Sequence, residues 1–121
     1  MKVFYLNKKS AEYVEIEPEL KVYYKLLDCS CITITTLKVN GKEFDVICDD
    51  EGLLTKKSVS ALDDNLNPVL VGNLIFAHHD DEGELVDITR EEADFLSENL
   101  ALVKDIETGE IYPVIANVNY Y

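Results

Sequence analysis

The feature that most constrains this chain is the pair Asn40-Gly41, placed between two strand-like runs within residues 31–54. A two-residue type I′ turn needs positive φ at both central positions, and Asn-Gly is the pair that meets this most easily. With these residues as the turn centre, Val39 faces Lys42, Lys38 faces Glu43, Leu37 faces Phe44, Thr36 faces Asp45, Thr35 faces Val46 and Ile34 faces Ile47. One face of the hairpin then carries Leu37, Phe44, Thr35, Val46 and Cys48 and belongs to a core. The other begins with Lys38 and Glu43 and turns apolar only at Ile34 and Ile47, so its far end needs a cover while its tip stays wet.

Around the hairpin the pattern predicts an α+β fold: a mixed or mainly antiparallel sheet with two short helices. Residues 2–6 and 13–16 read as short strands. Glu17-Pro18-Glu19 opens a first helix, with Leu20, Tyr23, Tyr24 and Leu27 at helical spacing on the face that would cover the hairpin. Leu53-Leu54 reads as a brief return to the sheet, and 56–67 as an ordered loop with room for one helical turn around Val59 and Leu62. Residues 68–77 are too rich in β-branched residues and Gly for a helix, and predict a strand buried on both faces with a break at Gly72. Thr89 with Glu92 three residues later forms a capping box for a second helix over about 90–99, with Ile88 and Ala93 placed as a weak staple. The tail is a further hairpin turning at 107–110, where Pro113 favours an edge. The expected organisation is one domain over 1–121, with 102–121 as a C-terminal hairpin extension.

Charge narrows the function classes. The net charge is −13, made of −1 over residues 1–57, −10 over 58–103 and −2 over the remainder. Direct nucleic-acid binding needs clustered Lys and Arg and is not expected. No apolar run reaches the roughly 18 residues of a membrane span, and the start is too short and too soon polar for a signal peptide, so the expectation is a cytoplasmic protein that does not enter a membrane. Cys29, Cys31 and Cys48 are expected as reduced thiols, with those on or near the hairpin strands acting as small buried hydrophobes.

The order of several features resembles an uncharacterised family, domain-of-unknown-function family 3846. These are an acidic strand before a short helix, the strand pair ending in Ile47-Cys48-Asp49-Asp50-Glu51-Gly52-Leu53-Leu54, the Val71-Gly72-Asn73-Leu74-Ile75 strand, and Asp87-Ile88-Thr89-Arg90-Glu91-Glu92 before the last helix. The resemblance runs from about Val14 to Phe95, and the chain extends some twenty residues beyond the family's last helix. It implies an accessory protein of phages, plasmids and conjugative elements, and brings no established catalytic residues.

Candidate chemistry is sparse. His78-His79-Asp80 is the sharpest metal-ligand cluster, with Cys29, Cys31 or Cys48 as further donors, but neighbouring side chains on a strand point to opposite faces. No metal or other cofactor is therefore expected, and a metal-dependent enzyme is the least favoured class. Asp49-Asp50-Glu51-Gly52 and Asp80-Asp81-Glu82-Gly83 read as acidic turns without calcium-loop spacing. The pair Asp45 and Asp49 would need a pocket to act as acid and base. The favoured expectation is a non-enzymatic acidic binding module that inhibits a host nucleic-acid-handling or defence protein by covering its basic surface. Asp80, Asp81, Glu82, Glu84, Asp87, Glu91, Glu92 and Asp94 would be the binding residues. The alternative is a protein that sequesters a small nucleotide signal, with tyrosines to stack on a base and Lys8, Lys9, Lys56 and Lys57 to meet phosphate. Seven tyrosines without tryptophan are explained mostly by core packing, and Tyr112, Tyr120 and Tyr121 make the C-terminal hairpin a candidate homo-oligomer interface.

Overall fold

A computed structural model describes residues 1–120. The hairpin is its centre. Strands β3 (Ile32–Val39) and β4 (Lys42–Asp49) pair in the register the turn predicts, from Val39 opposite Lys42 to Ile34 opposite Ile47 and on to Ile32 opposite Asp49. Asn40 and Gly41 take φ of 48° and 87°, as a type I′ turn requires.

The other strands are β1 (Lys2–Leu6), β2 (Ala11–Glu15), β5 (Val59–Leu62), β6 (Pro68–Val71), β7 (Leu74–His79), β8 (Leu85–Val86), β9 (Leu100–Lys104), β10 (Ile111–Ile115) and β11 (Val118–Tyr120), with helices α1 (Leu20–Leu27) and α2 (Arg90–Glu98). The larger sheet runs β11-β3-β4-β7-β1-β2, with β8 beside β7, and the smaller runs β6-β5-β10-β9. All pairings are antiparallel except β10 with β5. An α+β fold dominated by sheet is the result.

Alternation assigns the two faces of the larger sheet. Phe4, Leu37, Phe44, Val46, Leu74 and Phe76 point into one core with Ala61 and Ile115 of the smaller sheet and Ile88, Ala93 and Leu96 around α2. Val3, Ile47, Ile75 and Ala77 point the other way, onto Tyr23 and Leu27 of α1. The hairpin's far end is thus covered by α1, although Ile34 itself stays 49% exposed. In β7, between β4 and β1, Leu74 to Ala77 are all buried because both faces are covered. The capping box of α2 is present in full, with Thr89 Oγ1 accepting from the Glu92 N–H at 3.1 Å and Glu92 Oε1 from the Thr89 N–H at 2.9 Å.

Several expectations are corrected. Residues 59–62 are strand β5, not a loop or helical turn: Ser60 and Ala61 are buried there, and alternation over four residues is too short to stand out. The apolar stretch breaks at Gly72, whose φ is +78°, into β6 and β7 of different sheets. Leu53 and Leu54 do not return to the sheet; both are 80% exposed in a turn. Helix α1 begins only at Leu20, after both acids, and Leu20 lies outside its packed face. Cys31 is exposed rather than buried, whereas Cys48 is buried and its thiol is pushed up to about 11, first by burial. Pro113 does not sit on an edge strand, since β10 lies between β9 and β5. Its missing N–H is tolerated because β5 meets β10 only at Ile115. The tail hairpin turning at 107–110 is present as β9 paired with β10, and the chain beyond it crosses to the larger sheet, where β11 pairs with β3. Tyr121 lies outside the described residues.

Candidate functional site

The acidic segment is less uniform in space than in sequence. Asp80 Oδ1 accepts the Glu82 and Glu84 amides within its own turn, and Asp87 accepts the Lys2 N–H at 2.9 Å. Asp94 pairs with Arg90 one helical turn away. Glu92 is drawn furthest inward: it meets His78 Nε2 at 2.5 Å and Lys42 at 3.4 Å besides closing the capping box. Burial pushes its carboxyl up, but the hydrogen bonds from His78 and the Thr89 amide outweigh this and hold it at about 2. Asp81, Glu82, Glu84 and Glu91 keep exposed side chains. Half of the eight carboxylates therefore support the fold locally.

His78 and His79 diverge as adjacent strand residues must. His78 stacks on Phe44 with ring centroids 5.3 Å apart, while His79 Nδ1 meets Asp45 Oδ2 at 2.5 Å and Thr36 Oγ1 donates to the other Asp45 oxygen. With Asp80 engaged in its turn, the three do not converge on one point, and among the described residues no group of three or more His, Cys, Asp or Glu is placed to hold a metal ion. The hydrogen bond to Asp45 raises the His79 pKa above its ordinary 6.5, followed by the Asp45 charge and against a smaller desolvation effect. The protonated imidazole thus contributes stability that is fully present below pH about 6.5 and is lost as pH rises through the folded-state pKa. An NMR titration is expected to show the His79 ring inflecting above 6.5 in the wild type and moving back toward 6.5 in Asp45→Asn; identical curves would contradict this.

A built concavity lies elsewhere, where the chain changes sheets. It passes from β4 to β5 through 50–58 and from β6 to β7 through Gly72 and Asn73. A cavity of about 550 Å³ opens between these crossings, the end of β1, the end of α1 and β10, a size usual for small-molecule sites. Its lining includes Lys8, Lys56, Lys57, Ser60, Asn73 and Tyr112, with Asp28 as the single carboxylate among the described residues. In a chain of net charge −13, lysines thus outnumber carboxylates in this lining.

Each polar group has a definite state. Lys57 is structural: its ammonium donates to the carbonyls of Leu27, at 2.9 Å, and Asp28 at the C-terminal end of α1, and pairs with buried Asp49 at 2.9 Å. A Cβ on Gly72 would come within 3.0 Å of the Lys57 stem, so glycine here also makes room for that side chain. Asn73 Nδ2 donates to Leu26 O at 2.9 Å, which Tyr5 Oη also reaches at 2.6 Å. Lys8 pairs with Glu110 at 2.7 Å, a hydrogen bond that raises its pKa against a smaller desolvation effect, and its ammonium stands 5.0 Å from the centre of the Tyr112 ring. Lys56 is exposed at the rim with φ 56°. Ser60 is 7% exposed, and its hydroxyl has no hydrogen-bond partner in the protein.

A family model covers residues 1–101. The chain belongs to the family described as a domain of unknown function (DUF3846). No curated protein and no solved structure is significantly similar to it. The family match contains β1 to β8, both helices and the start of β9, and so every cavity residue up to Asn73. Tyr112 and Pro113 close the cavity from beyond it, as does the Glu110 partner of Lys8. Of Lys8, Lys9, Lys56 and Lys57, the lysines expected to meet phosphate, three line the cavity and Lys9 does not. Ser60 and Asn73 carried no signal beyond being polar in otherwise apolar runs.

Proposed function

We propose that this protein is a small-ligand binding module whose site is the cavity between the two sheets. The observation that carries this reading is a cavity of about 550 Å³ lined by Lys8, Lys56 and Ser60, whose hydroxyl is buried and unpartnered within the protein. A buried hydroxyl without a partner costs on the order of 1–3 kcal/mol, and a ligand oxygen or nitrogen would remove that cost. Lysines with one lining carboxylate favour a ligand with negative charge.

Ser60→Ala separates this reading from a purely structural one. Losing the hydroxyl is expected to leave folding unchanged or to raise stability by about 1 kcal/mol, while weakening ligand binding about tenfold. A thermal-shift screen with anionic and neutral metabolites, run on wild type, Ser60→Ala and Lys56→Glu, checks it. Supporting compounds stabilise the wild type and lose that effect in both variants. A screen in which nothing binds, or in which binding ignores both substitutions, would overturn the proposal.

A second reading uses the exposed carboxylates of Asp81, Glu82, Glu84 and Glu91, which lie on the 80–84 turn and the first turn of α2. Here a protein with a basic surface docks on the acidic segment. Lysine substitutions at these four positions would abolish capture of such a partner at low salt and leave cavity ligands unaffected.

A further inference from the structure

Two braced turns are linked beside the cavity. On one side the β1–β2 connection is braced by Asn7, whose Oδ1 accepts the Lys9 and Ser10 amides at 2.7 and 2.9 Å. On the other, the β9–β10 turn is braced by Asp105, whose Oδ1 accepts the Glu107 and Thr108 amides at 2.9 and 3.3 Å. The side-chain link between them is Lys8 with Glu110, and both side chains are about half exposed, at 42% and 48%. Glu110 is not itself part of the lining; Lys8 and Tyr112 are.

The geometry points to an exchange: a phosphate monoester displaces Glu110 from Lys8 and is held in the cavity by Lys8, Lys56 and the Ser60 hydroxyl. This rests on the cavity being the ligand site, and adds the ligand's chemical class and the internal group it competes with. Glu110 already presents to the Lys8 ammonium the anionic oxygen that a phosphate would present. An exposed pair of this kind is worth no more than about a factor of five in an equilibrium, so a doubly charged phosphate with two lysines and a hydroxyl outcompetes it. The Ser60 hydroxyl, buried and with a vacant donor, turns toward the cavity in this exchange to donate to a phosphate oxygen. Lys57 does not take part, since its three acceptors are within the protein.

Isothermal titration with inorganic phosphate, adenosine 5′-monophosphate and uncharged adenosine tests the exchange. In Glu110→Gln, affinity for the phosphate-bearing probes is expected to rise about three- to fivefold, with no gain for adenosine. In the Lys8→Gln/Glu110→Gln double variant that gain is expected to vanish, because Glu110 acts only through Lys8. Unchanged or weaker phosphate binding in Glu110→Gln overturns the exchange. Adenosine bound in the cavity without any phosphate dependence overturns it as well, while leaving the cavity reading intact. If none of the three probes binds any variant, the phosphate assignment is wrong, and the screen with Ser60→Ala decides the cavity reading separately.

Discussion

Phe76→Ala is expected to destabilise the protein by about 4 kcal/mol, the usual cost of removing a fully buried aromatic ring. Phe76 is 1% exposed on β7, the strand between β4 and β1. Its ring meets Phe4 at 6.0 Å and Phe44 at 6.2 Å between centroids, both edge-on. Phe44 in turn stacks on Phe95 of α2 and on His78. The truncation therefore removes the ring that joins three strands and leaves a hole that neighbouring rings on fixed strands cannot fill. Since small domains are stable by about 5–15 kcal/mol, the variant should unfold at much lower urea, with a similar slope. A loss below about 1 kcal/mol would mean that β1, β4 and β7 are not packed through this ring.

Lys57→Met is expected to cost about 3 kcal/mol, because it breaks a buried ion pair from one side. The Asp49 side chain is 3% exposed and that of Lys57 18% exposed, so the carboxylate would lose its counter-charge where water is scarce. Its remaining bond, from the Glu51 amide at 2.8 Å, does not neutralise it. The carbonyls of Leu27 and Asp28 lose their donor in the same step, which loosens the end of α1. Asp49→Asn in the same chain removes the stranded charge, so the double variant should be more stable than Lys57→Met alone. Urea unfolding of the single and double variants checks both statements; strictly additive losses would show that the pair does not interact.

These two residues illustrate what could be seen from the sequence. The hairpin and its register were legible because the turn chemistry of Asn40-Gly41 is local and the alternation across it is long enough to set which side chains face inward. Helix α2 was legible for the same reason, through Thr89 and Glu92. The division of 68–79 between two sheets was not, since Gly72 marks a break without saying which sheet each half joins. Nor was β5, whose burial depends on β6 and β10 rather than on its own four residues.

The cavity was the least legible part, for a physical reason. Lys8, Ser60 and Tyr112 stand far apart in the chain and are brought together only by the crossings between sheets. A list of lysines by charge could name Lys8, Lys56 and Lys57, but could not tell that Lys57 is held by Asp49 and by α1 while Lys8 is shared with an exposed Glu110. The acidic segment gave the opposite impression. Its charge is conspicuous in sequence, yet Glu92, Asp87, Asp80 and Asp94 are engaged by nearby groups of the same molecule.

The central claim is that ligands enter the cavity between the sheets, and its most direct test is an amide NMR titration of the wild-type protein with adenosine 5′-monophosphate. The account predicts saturable shifts centred on Lys8, residues 56–60, Gly72, Asn73 and Tyr112. Saturable shifts centred instead on residues 80–94 would contradict it, while an absence of saturable shifts with this probe would contradict the phosphate assignment alone.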